Sequence, residues 1–394
     1  MTFEIRKKSH ELIALNHIRN FKEISRTELA NIMGLSKPKI TQVSLNLINL
    51  NLIVVNREGS SSSVGGRKPI LLSLNGNYQK YVVGIDIGTS IVSIALGSLD
   101  GSYRIFKVEK TNDSHFPNEI VDQVCELYSG MLEAFKVKKE SVLGIGISIG
   151  GLVDSKNGIV IHSPNFRWEK MNLSKILESK LKCSVFVENC TSAMAVGDID
   201  YDQILPSETV LYINHGYGVG SSIVRNRTSI SDFCEIGHIA IPIDSDSENI
   251  LCYCGNANCL ETKASGWAIE WMAKQVFEEV LDAHAVSQKA IERNEKAKYI
   301  FECVGRSLGI ALSASANMVS PDHIIISGGV SESHLLYRDA LNKAFEEHTM
   351  KFIREKAKIK FSECRQESAI KGIIKIALTK SVFSNDRSIS SNVR

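Results

Sequence analysis

Residues 80–101 read KYVVGIDIGTSIVSIALGSLDG, and this stretch decides the fold class. An apolar strand runs into a glycine-bearing turn, an alternating strand returns, and Asp-Gly closes the unit as a β-hairpin. An acidic residue and a glycine at such a turn let the backbone approach a metal-held phosphate. Asp86 and Gly88 are therefore candidates for a nucleotide contact. Alone, DxGxS marks only a tight hairpin.

The unit recurs in variant form. Residues 141–168 hold an apolar strand ending in Gly150-Gly151, a second hairpin and Ser-Pro-Asn. Residues 183–198 (CSVFVENCTSAMAVGD) read as a strand into a helix, and residues 209–224 (TVLYINHGYGVGSSIV) as two strands about a turn holding Gly216, Gly218 and Gly220. Residues 322–330 (DHIIISGGV) end a strand in Gly328-Gly329. Helical stretches at 265–283 and 297–318 lie between, so the body is α/β, and two sets of such units predict two lobes.

One segment is unlike the rest. His238 is followed by Cys252, Cys254 and Cys259 in the run CYCGNANC. One imidazole and three thiolates make a closed tetrahedral set of the kind zinc prefers, and a closed set points to a structural ion. Gly255 permits the tight turn. The nine cysteines are an odd number, and the N-terminus shows no export signal. A disulfide framework is not expected.

Upstream of residue 81 the texture changes. Leu12, Ile13, Leu15 and Ile18 recur at helical spacing. Ser25 and Glu28 form a capping box that starts a second helix, Gly34 ends it, and Ser36 caps a third with Pro38 in its first turn. Two short helices about a glycine turn make a helix-turn-helix. The third helix is the expected reader of DNA, with Ser36, Lys37, Lys39, Thr41, Gln42 and Ser44 facing outward to phosphates and base edges. Leu52–Asn56 and Pro69–Leu74 read as paired strands about the loop REGSSSSVGGRKP, a wing whose Arg67 and Lys68 suit a narrow minor groove.

Charge agrees with this division. Residues 1–80 hold 12 Lys and Arg against 5 Asp and Glu, and the remainder 34 against 39. A basic first fifth on an acidic body suggests a nucleic-acid module joined to a different one. No apolar run approaches the ~18 residues of a membrane span, which points to the cytoplasm.

Together these stretches resemble the ROK family (repressors, open reading frames and kinases) over nearly the whole chain. The most specific piece is EIGH with CYCGNANCLE, similar to the family's zinc signature. The resemblance implies a winged helix-turn-helix (1–80) followed by a two-lobed, actin-like, sugar-kinase-like domain (81–394) with a zinc loop. Its first lobe would span about 81–195 plus the C-terminal helix, and its second about 196–366. It implies His238, Cys252, Cys254 and Cys259 as zinc ligands. Gly151, Asn189, Glu235, His238 and Glu261 would be the sugar contacts, and Asp86, Gly88, Gly216, Gly218, Gly328 and Gly329 a vestigial nucleotide site.

Three departures bear on activity. Cys190 stands where the family's kinases carry an aspartate base, Tyr217 replaces a small hydroxyl residue in GYGVG, and Ser90 stands where Thr is usual. Asn258 replaces a usual glycine in the zinc loop, and the loop after His238 is a few residues longer. A thiol of ordinary pKa is a poor proton acceptor. The expectation is a sugar-responsive, dimeric or tetrameric DNA-binding repressor, without kinase turnover, answering to a sugar or sugar phosphate. The alternatives are an active ATP-dependent sugar kinase, or a regulator controlled by a protein partner docking on the amphipathic segment SAIKGIIKIALTKSVF (368–383).

Overall fold

The computed structural model describes residues 10–56, 70–199, 204–205, 207–230, 233–242, 250–362 and 367–383. Helix α1 (His10–Phe21) precedes a three-residue strand β1 (Glu23–Ser25), then α2 (Arg26–Met33) and α3 (Lys37–Asn49). Ser25 and Glu28 close the expected capping box on α2, and Gly34 ends it in the left-handed region at φ 62°. Ser36 caps α3 by accepting from Lys39 N–H. Strands β2 (Ile53–Asn56) and β3 (Leu71–Leu74) pair antiparallel, and β1 adds to the far side of β3. Leu12, Leu15, Ile18, Leu29, Ile40, Val43, Leu47 and Leu72 fill the core of this winged module. Ile13 departs from its helical pattern and is 40% exposed.

The body continues through β4 (Tyr81–Ile87), β5 (Ile91–Gly97), β6 (Tyr103–Lys110), α4 (Pro117–Ala134) and β7 (Val142–Ile149). Next come β8 (Leu152–Asp154), β9 (Ile159–Ser163), β10 (Trp168–Met171), α5 (Leu173–Leu181), β11 (Val185–Asn189) and α6 (Cys190–Asp198). After these lie β12 (Val210–His215), β13 (Val219–Arg225), β14 (Thr228–Ser229), α7 (Glu261–Ala264), α8 (Gly266–Val276), α9 (Ala283–Ile291) and α10 (Glu295–Val319). The last are β15 (His323–Ser327), α11 (Arg338–His348), α12 (Lys351–Lys356), β16 (Lys358–Phe361) and α13 (Ser368–Leu378), which runs into a π-helical turn, Thr379–Phe383.

Two five-stranded sheets share one plan. The first has the order β11-β7-β4-β5-β6 and the second β14-β13-β12-β15-β16. In each, an antiparallel meander of three strands is extended beyond its first strand by two more. In the second sheet these extensions, β15 and β16, are parallel to β12. The DIGTS turn joins β4 to β5, and the GYG turn joins β12 to β13, at equivalent places. A short sheet has the order β10-β9-β8.

The chain forms two compact units, one of residues 1–147, 172–186 and 374–394, the other of 148–171 and 187–373. The second packs its core around α10, which lies so close to α11 that a Cβ on Gly305 would sit 2.4 Å from Tyr337 O. In that unit α6 and α13 also touch through glycines. A Cβ on Gly372 would lie 1.7 Å from Ala193 O, and one on Gly197 2.1 Å from Ser368 O.

In the first unit the winged module meets the end of α13. Arg19 donates to Thr379 Oγ1 (2.8 Å) and Lys375 O (3.4 Å) and stacks over Phe383 at 4.4 Å, while Asn16 donates to Phe383 O (3.3 Å). Ile370, Ile373, Ile374, Ala377 and Leu378 are buried. The amphipathic segment 368–383, a docking helix in one of the alternatives, is thus packed on the chain's own core, because its apolar face is wide enough to be covered from several sides.

Candidate metal centre and effector pocket

The cysteine loop is drawn together by its backbone. Isolated bridges join Ala240 to Cys259 and Leu251 to Ala257, and Leu260 N–H donates to Ile239 O. Gly255 adopts φ 93° and Asn258 φ 60°. Asn258 thus takes the left-handed conformation of the glycine it replaces, which Asn tolerates better than other side chains. The ligand atoms of His238, Cys252, Cys254 and Cys259 all lie within 4.8 Å of one another. Cys254 Sγ to Cys259 Sγ and Cys252 Sγ to His238 Nδ1 are both 3.6 Å. The edge of a tetrahedron with metal–sulfur bonds of ~2.3 Å is about 3.8 Å, so the four groups fit one ion.

Beside the loop, a small, partly open depression is lined by Gly151, Leu152, Val153, Asn189, Ser192, Ser221, Phe233, Cys234 and Glu235. Asn189 caps α6, its Oδ1 accepting from Thr191 and Ser192 N–H, while its Nδ2 donates to Gly151 O at 2.7 Å. Gly151, at φ 121°, cannot be replaced freely, since a Cβ there would meet His162 O at 2.4 Å. Burial first, then the nearby Glu261, pushes the Glu235 carboxyl above its usual range, and His238 opposes this.

His238 and Glu261 do not line the cavity itself. They stand next to Glu235 through the turn in which His238 N–H donates to Glu235 O (3.1 Å) and through electrostatic contact. Glu261 Oε2 accepts from Val219 N–H at 3.0 Å, and a Cβ on Gly218 would come within 2.9 Å of it. That carboxylate therefore ties the zinc-loop helix to the GYGVG turn. Ser192, Ser221, Phe233, Cys234 and Tyr253 carry no sequence motif of their own. Only their adjacency to EIGH, to Asn189 or to the CYC run marks some of them.

On the winged module, Ser36, Lys37, Lys39 and Gln42 are exposed on α3. Thr41 is half-buried, with its hydroxyl on Lys37 O. Ser44 is a correction: it is fully buried and its hydroxyl donates to Ile40 O (2.7 Å), so it cannot reach DNA. It lies one turn after Ile40 and three residues before Leu47, which puts it on the inward face. Arg67 and Lys68 fall outside the described residues.

A family model described as ROK family matches residues 82–380. The chain belongs to the ROK family. It is similar to the putative xylose repressor of Caldicellulosiruptor sp. (strain Rt8B.4), 24% identical over 390 residues that cover 95% of this chain and 96% of the relative. Among solved structures it is similar to a ROK family transcriptional regulator described as a homolog of the E. coli MLC protein. That match has a TM-score of 0.75 and 21% identity, covering 95% of this chain and 98% of the other. A ROK family glucokinase from Streptomyces griseus, solved with glucose and AMPPNP, matches with a TM-score of 0.61 and 25% identity over 75% of this chain and 99% of its own.

The ROK family thus includes both regulators and kinases, and the glycine turns show what this member retains. Gly328 sits at φ 105°, where a Cβ would meet Asn214 Oδ1 and His215 O at 2.6 Å. The GYG turn is anchored by Gly266 N–H on Gly216 O (2.9 Å) and Trp267 N–H on Tyr217 O (3.2 Å). Tyr217 points outward, 67% exposed. No helix among the described residues is long and apolar enough to cross a membrane.

His215, just before this turn, is fully buried; its Nε2 donates to Ala264 O (2.7 Å) and its Nδ1 accepts from Tyr337 hydroxyl (3.0 Å). Burial holds its pKa down at about 4, and the Ala264 carbonyl opposes this only in part. As pH falls below about 6.5 the unfolded imidazole takes a proton and the folded one does not. Stability is therefore lost as pH falls from about 6.5 to about 4, by about 3 kcal/mol from this group. Urea unfolding of the wild type and His215→Gln at pH 7.5 and pH 5 checks this: the variant should lack that part of the slope.

Proposed function

We propose that this chain is a sugar-responsive transcriptional repressor of carbohydrate-utilisation genes whose kinase-like body binds its effector without phosphorylating it. The observation that carries this reading is that one chain joins an exposed basic recognition helix to a body whose pocket holds Gly151, Asn189 and Glu235, with Cys190 rather than a carboxylate directly after Asn189. Cys190 is the first residue of α6, against Gly150. A thiol there lines a pocket but draws no proton from a sugar hydroxyl at neutral pH.

The carboxylates of Glu235 and Glu261 accept from sugar hydroxyls, while Asn189 and the Gly151 backbone orient the ring. The turns with Asp86 and Gly88 in one unit, and with Gly216, Gly218, Gly328 and Gly329 in the other, are remnants of nucleotide-contacting turns. The Cys3His cluster holds zinc; a closed set gives that ion the role of fixing the loop that carries His238 and Glu261. The protein acts as a dimer or a dimer of dimers, since a helix-turn-helix reads paired half-sites of matching symmetry. Sugar weakens operator binding by preferring the state that binds DNA poorly.

The test is calorimetry of the metal-loaded full chain against xylose, glucose, N-acetylglucosamine and their phosphates, with and without MgATP. It is read beside fluorescence anisotropy on DNA fragments selected by the protein from chromosomal DNA. One sugar should bind, ATP should add no continuing heat, and DNA affinity should fall with sugar. Sustained heat with ATP would mean a kinase, and unchanged DNA affinity at saturating sugar would sink the regulatory reading. Lys37→Ala with Lys39→Ala should weaken binding to all sequences alike and lower the salt slope by about 2, one for each phosphate no longer neutralised.

A further inference from the structure

Tyr253, between two of the metal-set cysteines, has no part in the function proposed so far. Its hydroxyl lies 3.2 Å from His238 Nε2, and its ring stands edge-on to the imidazole with centroids 5.2 Å apart at 84°. The other imidazole nitrogen, Nδ1, faces Cys252 Sγ. With Nδ1 committed to the metal set, the ring proton resides on Nε2, which donates. Tyr253 oxygen accepts it.

The residue as a whole is 60% exposed. Little packing holds the ring in place, and the polar contact at its tip is what fixes it. That tip engages the imidazole N–H of His238, a donor that a hydroxyl of a bound sugar would also use.

We propose that Tyr253 is a built-in competitor of the effector: its hydroxyl occupies the place of a monosaccharide hydroxyl on His238, and the sugar binds by displacing it. This rests on the sugar reading of the site. It makes Tyr253 a determinant of effector affinity, setting the sugar concentration at which the protein responds. The ring swings outward without disturbing the core, because it is attached to an exposed turn and is itself largely open to water.

The experiment is calorimetry of metal-loaded wild type and Tyr253→Phe with xylose, glucose and N-acetylglucosamine, with metal content measured on the same samples. Tyr253→Phe keeps the ring and removes the competing hydrogen bond. It should bind the sugar roughly three- to tenfold more tightly at unchanged metal content. Binding by wild type with equal or weaker binding by Tyr253→Phe overturns this proposal alone, and weaker binding would make the phenol a sugar ligand. Binding by Tyr253→Phe only would be its strongest support. Silence from both proteins removes the sugar reading and this proposal with it.

Discussion

Cys259→Ser is expected to strip the metal and lower stability by upwards of about 4 kcal/mol, a fall of about 10 °C in Tm. Cys259 is 1% exposed and its thiol stands 3.6 Å from that of Cys254. Without a cation, burial and then the neighbouring Cys254 and Cys252 thiols hold its pKa up at about 12. Three thiolates in so small a space therefore form at neutral pH only around a metal ion, and their ionisation releases protons when the metal binds. Serine matches the size but is a far weaker ligand. Isolated backbone bridges at Ala240–Cys259 and Leu251–Ala257 are all that would then hold the loop, so the effector binding proposed for His238 and Glu261 should weaken with the loss of the ion. Metal content by atomic emission and a thermal melt, with chelator-treated wild type beside it, check the result. Full metal occupancy and an unchanged Tm in Cys259→Ser would show that the four side chains do not act as one site.

Gly372→Val is the second large effect. Where α6 and α13 cross, backbones are in direct contact, and a Cβ at 372 would lie 1.7 Å from Ala193 O, 2.6 Å from Ala193 C and 2.9 Å from Gly197 N. No flexible side chain can yield there, so the helices must separate. Overpacking costs about 1–3 kcal/mol where neighbours can adjust, and here it should reach about 3 kcal/mol or more. Gly372→Ala sharpens the test, since it gains about 1 kcal/mol of helix propensity yet should still lose stability. The displacement is also felt at the start of α6, where Asn189 caps the helix and holds Gly151, so sugar affinity should fall as well. Urea unfolding of both variants measures this. An alanine variant as stable as the wild type would mean that the crossing is loose.

What is legible in the sequence follows the range of the interactions involved. The caps at Ser25, Glu28, Gly34 and Ser36 are satisfied within three or four residues, and each stands as its local pattern predicts. The Cys3His set is legible because its chemistry is rare and its spacing short. Asn258 departs from the family's glycine in name only, since its φ of 60° does what glycine does. Ser44 is misleading because a polar side chain on a DNA-reading helix suggests an outward face, whereas its phase relative to Ile40 and Leu47 puts it inside. Strand β1 leaves no sequence signal because three residues carry no pattern, and their partner Leu71–Ser73 lies more than 45 residues on. The cavity walls Ser192, Ser221 and Phe233 come from separate segments, and only tertiary structure brings them together.

The contacts of Asn16 and Arg19 with Thr379 and Phe383 have a consequence for how the protein is made. The hydrogen bond from Asn16 to Phe383 O spans 367 residues of chain. At about 5–20 residues per second of synthesis, the winged module waits roughly 20–70 s before its seat on the end of α13 exists. During that interval Arg19 lacks its acceptors Thr379 and Lys375, and α1 its aromatic partner. A nascent chain halted after the second sheet thus carries a helix-turn-helix that lacks these contacts. The DNA-reading element comes under the control of the rest of the molecule only when nearly all of it has been synthesised.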